Sequence, residues 1–130
     1  MSFNADFYAW LTAQAGVTAL CGSRIYPVRL AQGADFPCVR FERDANGGVA
    51  DFDGQSNTTR TDLQTDCIAE TLDAATALAD ALRSALKNHT GALGSKHVYR
   101  TDLITEFDTW EDRLAGGRYR VSQAWTLWHN

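Results

Sequence analysis

"RTDLQTDCIAETLDAATALADALRSALKN", Arg60 to Asn88, changes its hydrophobic period part-way along. Up to Ala69 the period is two, with Leu63, Cys67 and Ala69 opposite Arg60, Asp62, Gln64 and Asp66. That pattern belongs to a strand with one buried and one wet face. From Thr71 the period becomes helical, and Leu72, Ala75, Leu78, Ala79, Leu82, Ala85 and Leu86 form one stripe. Thr71 suits the N-cap, Asp73 the first turn and Lys87 the last, where the charges complement the helix dipole. The stripe is mostly small, so the helix is expected to lie close against a sheet.

The flanking segments extend the sheet. "PCVRFERD" alternates, Val39 and Phe41 against Arg40 and Glu42. In "KHVYRTDLITEFD" the period predicts Tyr99, Leu103 and Phe107 on one face and Arg100, Asp102 and Glu106 on the other. In "RYRVSQAWTLWHN" Tyr119, Val121, Trp125 and Leu127 alternate with Arg118, Arg120, Ser122 and Thr126. At the start, Ser2 or Asn4 can cap a helix whose Phe3, Phe7, Trp10 and Leu11 share a face. Gly16 is expected to interrupt it, with "VTAL" adding a turn before Gly22. "RIYPV" reads as a short extended piece that Pro27 keeps from the middle of a sheet. Asn46-Gly47-Gly48 signals a turn within a long loop, "ANGGVADFDGQSNTT", and "TWEDRLAGG" reads as a second loop carrying Trp110. The order helix, strands, helix, strands predicts an α+β fold. The expected sheet is mostly antiparallel, of about four strands, packed on one face by the N-terminal helix and the long central helix.

Composition narrows the function. The chain has 130 residues, so one domain over residues 1–130 is expected, typical domains running roughly 100–150 residues. Hydrophobic content of 45% and aromatic content of 11% support a packed core. A net charge of −4 argues against general nucleic-acid binding, which needs clustered Lys and Arg. Cys21, Cys38 and Cys67 form no CxxC pair, so reduced thiols are expected rather than disulfides or a zinc knuckle. "MSFNADFYAWLTAQAG" has no basic region and no unbroken apolar run, so neither a signal peptide nor a membrane span is expected.

The chemical motifs are thin. Asp51-x-Asp53-Gly54 begins like a calcium loop, but Arg60 stands where a bidentate Glu would be needed. A solvated loop tip is the simpler expectation. Asp62 and Asp66 share a strand face, yet Lys87 and Lys96, the only lysines, form no nuclease pattern with them. His89, His97 and His129 have no ligand spacing, and no GxSxG, GxGxxG or phosphate loop occurs. No enzyme activity, catalytic residue, metal or cofactor is therefore expected. Trp110, between acidic residues in "FDTWEDR", is either local packing or an interface anchor.

One resemblance supplies a context. "GSRIYPVRLAQGADFPCVRFERDANGG", then "DFDG", then "TRTDLQTDCIAETLDAATALADALRSAL" resembles the tail-completion, or tail-terminator, proteins of long-tailed bacteriophages. The similarity spans about Leu20 to Leu86 and rests on a composite pattern rather than a catalytic signature. It implies a structural virion subunit that forms a ring, typically hexameric, at the head-proximal end of the tail, after assembly in the host cytoplasm. Its implied partners are copies of itself, the tail-tube protein and a head-completion or connector protein. Genomic DNA would pass through without specific binding, and no membrane is involved. The candidate subunit-interface or channel-loop residues are Asp51, Asp53, Arg60, Asp62, Asp66 and Trp110. The alternatives are another ring-forming connector or tube subunit, and a small metal-dependent hydrolase using Asp51, Asp53, Asp62 or Asp66.

Overall fold

The change of period at Glu70 is a change of layer. In the computed structural model, residues 2–31, 33–51, 54–112 and 117–130 are described, by backbone alone at 45, 46, 49–51 and 54–57. The elements are α1 (Phe3–Thr12), α2 (Ala15–Cys21), β1 (Ile25–Pro27), β2 (Cys38–Asp51), β3 (Gly54–Ala69), α3 (Leu72–Leu86), β4 (Gly91–Leu93), β5 (Lys96–Glu111) and β6 (Arg118–His129). The strands form one sheet in the order β1-β2-β3-β6-β5-β4. The β1–β2 pair is parallel and the other neighbours are antiparallel.

The helices lie on one face, as the stripes require. Ser2 Oγ accepts from the Ala5 N–H at 3.1 Å and caps α1. Thr71 Oγ1 does the same for α3, accepting from Ala74 N–H at 3.1 Å. Leu78, Leu82 and Leu86 of α3 bury completely with Phe7, Leu11, Val39, Phe41, Leu63, Cys67, Val121, Trp125 and Leu127. Each such side chain contributes about 1.5–3 kcal/mol by leaving water. Ala75 and Ala79 let the α3 backbone approach the sheet, and the buried Gln123 side chain donates to the Ala79 carbonyl at 3.0 Å.

Several expectations change. Six strands among the described residues replace about four, because β4 is three residues long and β1 is closed by Pro27, too short for either to show a period. The first helix breaks at Ala13–Gln14 rather than at Gly16, which lies inside α2. Asn46-Gly47-Gly48 makes no turn. β2 runs through it, pairing Asn46 with Thr61, Gly47 with Arg60 and Gly48 with Thr59, so the expected loop is an extended hairpin closed where Asp51 pairs with Gly54. The cross-strand partners supply enough ladder bonds to override the local turn preference. Trp110 likewise lies in β5, opposite Tyr119, not in a loop.

Register shifts in β5 after Val98 and after Leu103 alter its faces. Each bulge inserts one residue and inverts the alternation beyond it. Phe107 therefore pairs with Ser122 on the open face, while Glu106 pairs with Gln123 on the helix face, the reverse of the uniform period.

Candidate functional site

The face of the sheet away from the helices carries charged side chains in cross-strand rows. The registers β2–β3 and β3–β6 place Arg40, Asp66 and Ser122 side by side. Asp66 is only 1% exposed and fully engaged. Its Oδ2 accepts from Arg40 Nη2 at 2.7 Å and Nε at 3.1 Å, and its Oδ1 from Ser122 Oγ at 2.6 Å and Gln64 Nε2 at 3.0 Å. Four donors around one carboxylate lock the register of three strands and leave no free lone pair for catalysis or a metal. Farther along β3, Asp62 accepts from Thr126 Oγ1 at 2.9 Å and from Arg60 Nη2 at 3.2 Å. Beside it a shallow cleft of about 340 Å³ is bordered by Asp44, Arg60, Asp62, Ile104, Ala124 and Thr126. Arg100 pairs with Asp102 at 3.0 Å, and Arg120 with Glu111 at 3.1 Å.

Asp53 lies outside the described residues, as does the Asp51 side chain; the backbone puts Asp51 at the closed end of the β2–β3 hairpin. The residues singled out from the sequence are thus separated along the sheet. Arg60 and Asp62 adjoin, Asp66 is locked in its own row, and Trp110 stands at the far end of β5. Trp110 is 48% exposed, with its ring edge-on to Tyr119 at 4.9 Å. Gly117, at φ +72°, lies under it, and any Cβ there would collide with the indole.

Nothing in the described residues makes a reactive centre. No three His, Cys, Asp or Glu side chains among them stand together as metal ligands. Burial raises the Cys67 thiol well above its ordinary value and, with Cys21 nearby, pushes Cys38 up to about 12. Thiols held protonated this way behave as small apolar groups. No helix among the described residues is long and apolar enough to cross a membrane. Sequence inspection missed a buried polar chain beneath α3. Trp125 Nε1 donates to Thr65 Oγ1 at 3.0 Å, Thr65 Oγ1 to Gln123 Oε1 at 3.2 Å, and Gln123 Nε2 to Glu106 Oε2 at 2.7 Å. The signal was present in Thr65 and Gln123, polar residues at positions the alternation assigns to the core.

The described residues thus present a charged sheet face and two long hairpins. The sequence model of the family described as tail completion protein gp17 matches residues 5–125. The chain belongs to that family. The match takes in the strands that carried the resemblance and extends through β5 into β6, where no distinctive motif stood out. As a tail completion protein it is a structural component of bacteriophage virion assembly. No curated protein matches in sequence. Among solved structures, a chain from "Virion of native gene transfer agent (GTA) particle" superposes with a TM-score of 0.72 at 16% identity, covering 99% of this chain and 96% of that one. At that identity the likeness is one of fold.

Proposed function

We propose that residues 1–130 form a single tail-terminator domain, and that copies of it close into a ring on the head-proximal end of a phage tail tube. There the ring stops tube growth and presents the surface to which a completed head attaches. The observation that carries this is the tail completion match across residues 5–125, nearly the whole chain. The fold shared with a chain of a gene transfer agent particle supports a place in a virion. The sheet supports a ring. Its outer strands, β1 and β4–β5, are unlike each other, and unlike edges favour head-to-tail contacts that close by rotation. Arg60, Asp62 and the Asp51–Asp53 tip then border the channel or a neighbouring subunit, and Trp110 a subunit contact. Acidic residues beside the channel let DNA pass without sticking.

The decisive experiment removes the protein from the assembling particle and restores it in trans. Without it, tails of irregular length should accumulate beside unattached, filled heads; with it, tails of one length should join heads. Uniform, head-joined tails in its absence would sink the terminator role. Long tubes grown from the purified chain alone would make it a tube subunit instead.

A further inference from the structure

The two sheet edges differ in a way that names the contact between subunits. Beyond Val98, β5 has β6 on one side and no strand on the other among the described residues. Residues 104–108 are exposed on both faces, and Ile104, Phe107 and Trp110 are each about half exposed. From Leu103 to Asp112 the chain carries Glu106, Asp108, Glu111 and Asp112 and no Lys or Arg. Glu106 is bound by Arg83 and Glu111 by Arg120, while Asp108 and Asp112 are exposed with no ion-pair partner among the described residues. A long apolar edge of this kind is an open template for another chain.

At the opposite edge, residues 20–34 carry Arg24 and Arg29 and no acid. Val28, 53% exposed, sits at φ +68°, a strained conformation for a β-branched residue, and holds the following Arg29 in solvent. Beside it, between α1 and β1, runs a largely apolar groove of about 510 Å³ bordered by Asn4, Ala5, Tyr8, Ile25, Tyr26 and Pro27.

We infer that the β5 edge of one copy docks on the α1–β1 edge of a second copy, with Trp110 seated in the groove. Asp108 and Asp112 then face Arg29. The chemistry matches on both counts: an aromatic anchor meets a largely apolar groove, and an acidic rim meets a basic one. Two β5 edges would bring carboxylates against carboxylates, so self-pairing is disfavoured and the contact is head-to-tail. This rests on the proposed ring and specifies its interface.

The test is a charge exchange read by the mass of the assembly, in solution and on tails, against the 14.3 kDa chain. D108R and R29E should each weaken assembly about tenfold or more, and the double variant should return to within about threefold of wild type. W110A should weaken assembly with unchanged far-ultraviolet dichroism. Rings of wild-type stability in all three single variants overturn the contact and leave the ring standing. Variants that form normal rings but fail to bind the tail tube would show that the groove takes a different protein, which also overturns it. A wild type that stays a single chain, in solution and on tails, overturns the ring and the contact together.

Discussion

Asp66 shows how one buried carboxylate changes meaning with its surroundings. In sequence it pairs with Asp62 as a candidate acidic site; in the fold it is the knot that fixes β2, β3 and β6 in register. Replacing one member of a buried ion pair leaves the other charge uncompensated, so D66A should cost about 3–5 kcal/mol in urea unfolding. D66N keeps the volume and an acceptor for Ser122 and should cost less; equal losses would show that the charge, not the volume, is at stake. His129 makes a second residue-scale prediction. It is buried against Phe3, with Nε2 at 2.8 Å from Thr61 Oγ1, and burial, partly offset by the Asn130 backbone contact, holds it below its ordinary 6.5. The unfolded chain then takes up the proton more readily, so this contribution is complete above about 6.5 and declines as pH falls below it. Asp6 acts lower. Burial pushes its carboxyl up, but hydrogen bonds from Ser95 and the Lys96 ammonium outweigh that and leave it below 3.8. Its contribution holds above that value and is lost as pH drops through the folded one. Thermal midpoints of the wild type should therefore fall between pH 7 and 5, and H129Q should flatten that slope. An unchanged slope would assign the loss to other groups.

At the scale of elements, α3 separates capping from packing. T71A removes one capping acceptor and should cost about 1 kcal/mol. L82A empties a fully buried position under the same helix and should cost about 2–5 kcal/mol. Comparable losses in denaturant would mean that the helix is held by its termini rather than by the sheet. α3 is also the element most legible in the sequence, since fifteen residues with one stripe and a cap leave little freedom. β3 and β6 were legible for a similar reason, each burying one face against it. What was not legible is what the neighbours decide. The bulges in β5 depend on its register with β6 and leave no mark in "RTDLITEFD". The Gly-Gly of β2 is a turn in isolation and a strand only because Arg60 and Thr59 lie opposite. β1 and β4 exist because a longer strand offers them an edge. The polar row around Asp66 was visible as a list of charged residues, but its closure into one bonded cluster required the three strands to be aligned.

On the proposed ring, the whole molecule would act through its extremities rather than through a cleft. Beyond the Thr59–His129 pair, β3 has only β2 as a neighbour among the described residues, so the hairpin ending at Asp51–Gly54 reaches past the rest of the described sheet. In a ring, such an arm either lies along the neighbouring subunit or points toward the channel, and its two aspartates distinguish these cases. An acidic arm on a neighbour contributes through paired charges, whereas an acidic arm in the channel works by repelling the phosphates of moving DNA. Changing both aspartates to lysine converts two negative charges into two positive ones and offers up to two phosphate contacts per subunit. Each such contact steepens the salt dependence of DNA binding by about 0.9 in log–log slope, and the contacts multiply around a ring. The D51K/D53K particles should therefore assemble normally, melt within about 0.5 kcal/mol of wild type, and deliver DNA more slowly at low salt than at high salt. Normal delivery at all salt concentrations would remove the arm from the channel. Failure to form rings, with the fold intact, would place the aspartates at a subunit contact, where raised salt should weaken wild-type assembly and partly restore that of the lysine variant.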